Sequence, residues 1–213
     1  MATSDLIARL AADLRPVPAG AVWRRLALGL AGGSILSAVL MATWLGPRPD
    51  LREAVMTSAF WLKFTYTALA GACALAAVER LARPGCTARG ALLAGVLLIA
   101  SIVLLGAMEF VGAPEAMRPR LFWGGSATLC PLFITALSLP ILFGTISAVR
   151  GLAPTRLMLA GAAVGLLSGA TGALVYSFHC TETSMTFLAI WYSVGMAAVG
   201  LLGAIVGQRA LRW

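Results

Sequence analysis

Long apolar stretches alternate with short polar ones along the whole chain, and their length decides the class of structure. Six apolar segments lie near 24–45, 60–80, 90–111, 125–149, 157–178 and 186–207. Each reaches about 20 residues, the length of helix that crosses a hydrocarbon layer about 30 Å thick. Lipid offers the backbone no hydrogen-bond partners, and the two-residue alternation of a membrane barrel is absent, so each segment reads as a helix. The connections are too short to hold an extramembrane domain. The pattern predicts an all-α, polytopic membrane protein: a six-transmembrane-helix bundle over 23–213, preceded by a cytoplasmic segment, 1–22, with a short amphipathic helix.

Composition supports that class. The 213 residues are 60% hydrophobic and only 11% charged, against about 25% charged in an ordinary soluble domain. The mean hydropathy is +0.92. Soluble globular and disordered classes are excluded. Lys and Arg outnumber Asp and Glu by 16 to 8, and Lys63 is the single lysine. In a soluble chain that excess would suit nucleic acid, but here it lies between apolar runs, where it sets orientation. Arg9, Arg15, Arg24, Arg25, Arg80, Arg83, Arg89, Arg150, Arg156, Arg209 and Arg212 fall on one side, and Arg48, Arg52, Arg118 and Arg120 on the other. The bias places both termini in the cytoplasm. The first residues are polar and amphipathic, and the apolar run after them is too long for the core of a cleavable signal peptide.

Every ionisable side chain falls within snorkelling reach of an interface, Lys63 about one turn deep and Glu109 at the boundary of the third segment. An uncharged midplane argues against a proton-coupled transporter, an ion channel or a metal exporter. Gly161, Gly165 and Gly169, Gly203 and Gly207, and Gly29 and Gly33 recur at intervals of four, the spacing that lets membrane helices approach closely. Pro140 is expected to kink the fourth segment, with Ser138 or a neighbouring helix taking the freed carbonyl.

The cysteines carry the candidate chemistry. Cys73 reads as core and Cys86 as a reduced thiol in a cytoplasmic loop. Cys130 and Cys180 both fall at the outer boundary, although far apart in sequence, and His179 and Glu182 flank the second of them. The set would suit a disulfide, or a soft metal held transiently by Cys130, His179, Cys180 and Glu182. The plain alternative is two unrelated buried cysteines and a boundary histidine. No resident cofactor is expected.

Residues 4–15 place Leu6, Leu10 and Leu14 on one helical face beside Ile7, with Asp5 in the first turn and Pro16 at the end. About 12 residues are too few for a stable isolated helix, so the segment needs a surface. Asp5 and Asp13 balance Arg9 and Arg15, which weakens attraction to anionic lipid and favours a groove on a cytoplasmic partner.

The residues Leu6-Ile7-Ala8-Arg9-Leu10-Ala11-Ala12-Asp13-Leu14-Arg15-Pro16-Val17, Leu137-Ser138-Leu139-Pro140, and Tyr176-Ser177-Phe178-His179-Cys180-Thr181-Glu182, followed by Phe187 and Trp191-Tyr192, together resemble the NrsF-type membrane anti-sigma factors. The likeness covers nearly the whole chain. It implies a regulator and not an enzyme, one that holds an extracytoplasmic-function (ECF) sigma factor at the inner membrane until an external stress signal arrives. It implies Cys130 and Cys180 as the sensing pair, with His179 and Glu182 beside them; the amphipathic N-terminal helix then offers Leu6, Ile7, Leu10, Asp13 and Leu14 as the sigma-binding residues. Arg83, Arg89 or Arg150 could join that surface. The implied partners are the sigma factor and the lipid bilayer, with no direct nucleic acid and no small-molecule substrate. The competing class is a membrane thiol oxidoreductase, which usually needs a vicinal cysteine pair and a quinone site; no Cys-x-x-Cys is present.

Overall fold

In the computed structural model the described residues are 12 and 20–212, apart from 84 and 153. Six helices are long and apolar enough to cross a membrane: α1 (Ala21–Leu45), α2 (Ser58–Leu81), α3 (Arg89–Gly112), α4 (Leu129–Arg150), α5 (Leu157–Tyr176) and α6 (Met185–Ala210). No strand occurs among the described residues. The boundaries follow the polarity of the chain closely, because a helix in lipid has no reason to stop before its apolar run does. The sigma-binding residues expected at Leu6, Ile7, Leu10, Asp13 and Leu14 lie outside the described residues.

The helices form two ends. One carries Arg80, Arg89, Arg150, Arg156 and Arg209, and the other carries Arg48, Cys130 and Cys180. Most tryptophans, Trp44, Trp61, Trp123 and Trp191, gather near the cysteine end, as amphipathic rings do at a membrane interface. Short helical turns that hydropathy does not reveal occupy its connections, at Leu51–Ala54, Glu115–Met117 and Arg118–Trp123.

Small residues decide which helix is central. Of α5's most apolar window 67% is buried, against 11% for α3. α5 packs along α6 and also on α2 and α4. A Cβ added at Gly161 would strike the Gly203 carbonyl oxygen and come 2.9 Å from Gly207 Cα. Gly169 would come 3.0 Å from Met196 Cα. The two backbones are therefore in direct contact, as the spacing of four predicts. The same device joins α1 to α4: Gly29 meets Gly144 backbone to backbone, and a Cβ at Gly33 would come 2.6 Å from Ile141 Cα and 2.9 Å from the Pro140 carbonyl oxygen.

α4 is helical through Pro140. Ser138 donates to the Ile134 carbonyl at 2.6 Å, so it does not serve Ala136, whose carbonyl the proline leaves without its helical donor. Ser138 instead lies against Gly172 of α5.

Two wide, π-helical turns interrupt α1 at Met41–Leu45 and α6 at Leu188–Tyr192. Such turns often mark functional regions. The second lets adjacent aromatics serve different partners. Trp191 donates its indole N–H to the Phe122 carbonyl at 2.8 Å, whereas Tyr192 is fully buried beside Tyr176, ring centroids 5.9 Å apart.

Candidate functional site

Cys130 sits in the first turn of α4, and Cys180 just past the end of α5, where its amide donates to the Tyr176 carbonyl at 3.0 Å. Both are buried, at 0% and 3% exposure, and both are free thiols. They belong to one apolar cluster with Tyr176, Phe187 and Tyr192. A span of sequence that runs through most of α4 and all of α5 thus returns the second thiol to the neighbourhood of the first. The Tyr192 hydroxyl is buried there without a hydrogen-bond partner.

A loop of backbone covers this cluster, and two cations hold it. Lys63 donates from Nζ to the Glu182 carbonyl at 2.6 Å and to the Cys180 carbonyl at 3.2 Å. Its ammonium also stands 5.5 Å from the centroid of the Tyr192 ring, within cation–π range. Arg48 donates from Nη1 to the same Cys180 carbonyl at 3.2 Å, and its amide donates to the Phe178 carbonyl at 3.0 Å. The guanidinium is oriented by a two-pronged pair with Asp50, at 2.7 Å on each prong. Lys63 is only 4% exposed. It does not snorkel to water as its depth suggests, because the loop reaches it first and supplies carbonyl oxygens.

The paired guanidinium holds the Asp50 carboxyl below its ordinary value of 3.8, and the hydrogen-bonded carboxylate in turn raises Arg48. The sign follows from the depressed acid: stability from the pair is complete above the ordinary carboxylate value and lost as pH falls through the depressed one. Wild type is therefore expected to melt above Asp50→Asn at pH 7, and the gap is expected to close as the solution is acidified below the ordinary carboxylate value. A difference that persists unchanged at the acid end would mean that the asparagine disturbs more than the charge.

His179 and Glu182 are committed elsewhere. His179 Nδ1 is 2.7 Å from the Gly46 carbonyl oxygen, which ties the loop to the end of α1. Glu182 accepts from the Gly125 amide at 2.7 Å. Its carboxylate fills the space at Gly124, where an added Cβ would come 2.7 Å from Oε2; Gly124 also has φ 52°, a conformation that favours glycine. Among the described residues no three of His, Cys, Asp and Glu gather into a metal-binding set. The cysteines share one cluster, but their two flanking residues point to separate backbone partners.

On the far side of the loop, Glu109 of α3 accepts from the Ser184 hydroxyl at 2.8 Å and from the amide and hydroxyl of Thr186 at 2.7 and 2.8 Å. Ser184 also caps α6 by accepting from the Phe187 amide at 3.2 Å. The loop between α5 and α6 is thereby fixed to α1, α2, α3 and the α3–α4 connection. Sequence reasoning places Glu109 at its boundary but gives it no partner, and it misses the clamping roles of Arg48 and Lys63. The available signal is that Lys63, the single lysine, lies inside an apolar helix, where an ionisable residue marks a site by default.

The family model described as "Negative regulator of sigma F" matches residues 10–213. The chain is 41% identical to the anti-sigma-F factor NrsF of Caulobacter vibrioides, over the full length of both chains. It is 37% identical to a probable anti-sigma-F factor NrsF of Azospira oryzae, again over both full lengths. No solved structure gives a significant match. These names carry a regulatory role and not an enzymatic one. The chain belongs to the NrsF family of negative regulators of sigma F.

Proposed function

We propose that this protein is an anti-sigma factor of the bacterial inner membrane, with both termini in the cytoplasm, and that it sequesters a sigma factor of the extracytoplasmic-function type. The N-terminal segment supplies the contact through Leu6, Ile7, Leu10, Asp13 and Leu14, whose apolar face is too short to fold unaided. The signal enters at the cysteine end. Oxidation would join Cys130 to Cys180, the two thiols giving up two protons and two electrons to an external oxidant. The observation that carries this reading is the burial of both cysteines in one cluster beneath a loop latched by Lys63 and Arg48. Closing a disulfide there would pull on a loop that is tied to three of the helices and to the α3–α4 connection. A soft metal is the less favoured signal, since His179 must first leave Gly46 and Glu182 must leave Gly125.

A disulfide contributes typically about 2–4 kcal/mol, enough to switch partner occupancy only if the bound and free states are already nearly balanced. Two variants separate capture from signalling. Leu10→Asp is expected to abolish recovery of the sigma factor with the full-length protein, while Cys130→Ser with Cys180→Ser is expected to retain recovery but no longer release on oxidation. Capture that survives Leu10→Asp would remove the N-terminal helix from the mechanism. Release that survives the double serine variant would remove the thiols.

A further inference from the structure

One cavity lies towards the arginine-rich end, away from the cysteines. α3 packs on α2 and, at the cysteine end, on the start of α6, but it makes no extensive contact with α5. A groove of about 310 Å³ is left between α2, α3, α5 and α6. Small side chains make its floor: Ala70, Cys73, Ala74 and Ala77 of α2 face Ala162 and Ala163 of α5. Its deep end is closed by the hydrogen bond between the Tyr66 and Ser193 hydroxyls, 2.7 Å long. Its rim, at Val96, Ile99 and Leu159, is exposed, which in a membrane means open to lipid.

The mouth has a different chemistry. Arg89 begins α3 and Arg156 precedes α5; both line the groove and both are exposed. Among the described residues neither is in an ion pair. The nearest acid in that stretch of chain, Glu79, is already engaged by Arg83 at 2.7 Å. The groove therefore combines an apolar slot with two exposed guanidinium groups at its polar end.

We propose that the groove holds an acyl chain of an anionic phospholipid whose phosphate is bound between Arg89 and Arg156. Size excludes a helix, which is about 10–12 Å across with its side chains, and the apolar lining gives water too few partners. An extended hydrocarbon chain meets neither objection. Guanidinium groups pair with phosphate through parallel hydrogen bonds, and basic pockets between membrane helices are a recurrent form of anionic lipid site.

Native mass spectrometry of the full-length protein, with phosphatidylglycerol or phosphatidylcholine added to the detergent, tests this directly. Wild type is expected to retain phosphatidylglycerol preferentially. Each basic residue near an anionic lipid is worth roughly fivefold in occupancy, so Arg89→Gln with Arg156→Gln is expected to lose roughly 30-fold. Gly95→Phe keeps both arginines but fills the slot, since a Cβ there meets nothing closer than Cys73 Cβ at 3.9 Å; it is expected to lose the lipid as well. Arg89→Lys with Arg156→Lys keeps the charge and is expected to retain a preference. Equal retention of the two lipids by wild type would overturn the proposal, as would phosphatidylglycerol held undiminished by the double glutamine variant. Lipid lost from that variant but kept by Gly95→Phe would overturn it too, leaving headgroup attraction without a groove.

Discussion

Leucine at Gly165 is expected to pry α5 from α6 and to cost more than about 3 kcal/mol, the upper part of the range for overpacking. Its Cβ would strike the Val199 carbonyl oxygen and come 2.9 Å from Gly200 Cα and 3.0 Å from the Val199 carbonyl carbon. All three obstacles are backbone atoms, so no side-chain rotation relieves the clash. Gly161 makes the same approach one turn earlier, and moving the helices apart at Gly165 would empty that contact also. Because α5 is the helix around which the others pack, the loss spreads to the whole bundle. Thermal melts of the detergent-solubilised protein, followed by size exclusion, should show a drop of about 10 °C or failure to recover a monodisperse species. Gly32→Ala is the matched control. Nothing lies within 4 Å of a Cβ at that position, and alanine is the better helix former by up to about 1 kcal/mol. A Gly165→Leu protein that melts with wild type would mean that the α5–α6 contact is not the packing of the native state.

The second large effect is local. Lys63→Met is expected to raise the alkylation rate of Cys180 by roughly 30-fold while leaving the melting temperature nearly unchanged. Methionine fills most of the space but cannot donate. The Glu182 carbonyl then loses the Lys63 donor, and the Cys180 carbonyl keeps only Arg48. A buried acceptor left unpaired costs about 1–3 kcal/mol, which here is charged to the closed loop and so favours its opening. The rest of the bundle gains something in return, since a buried ammonium carries a desolvation penalty that methionine does not. Cys86, which is exposed, provides an internal reference whose labelling should be equal in both proteins. Equal labelling of Cys180 in the two would show that Lys63 does not hold the loop shut.

The contrast between those residues explains what the sequence could and could not reveal. Six spans were legible because the membrane imposes length and polarity on each helix separately. Gly161, Gly165 and Gly203 were legible as packing residues for a similar reason, their spacing being a property of single helices. Other contacts were not: Gly144, opposite Gly29, has no glycine four residues away, and Ser138 faces Gly172 rather than the carbonyl freed by Pro140. The wide turns in α1 and α6 leave no mark in hydropathy. The surroundings of Lys63 are hidden in the sequence, because its acceptors come from a loop 117 and 119 residues further along the chain. At the cysteines, the residues were legible and their convergence into one cluster was expected only from boundary counting and from the family likeness. His179 and Glu182 were expected beside them, and their commitment to Gly46 and Gly125 is information that only tertiary structure holds.

The contacts around Pro140 have a mechanical meaning. Gly33 presses on the α4 backbone at Pro140 and Ile141, and Gly172 receives Ser138 on another side, so the middle of α4 is held between α1 and α5. A rod held at its midpoint behaves as a seesaw. Cys130 rides one arm, and the other ends at Gly151, whose carbonyl accepts from Arg25 at 2.7 Å. The arms are each about 15 Å long at the rise of an α-helix, and Gly29 touches the second arm at Gly144, so the thiol and Gly151 are joined by one helix braced along α1. The residue it reaches, Arg25, stands in the first turns of α1, directly after the segment that carries Leu6, Leu10 and Leu14.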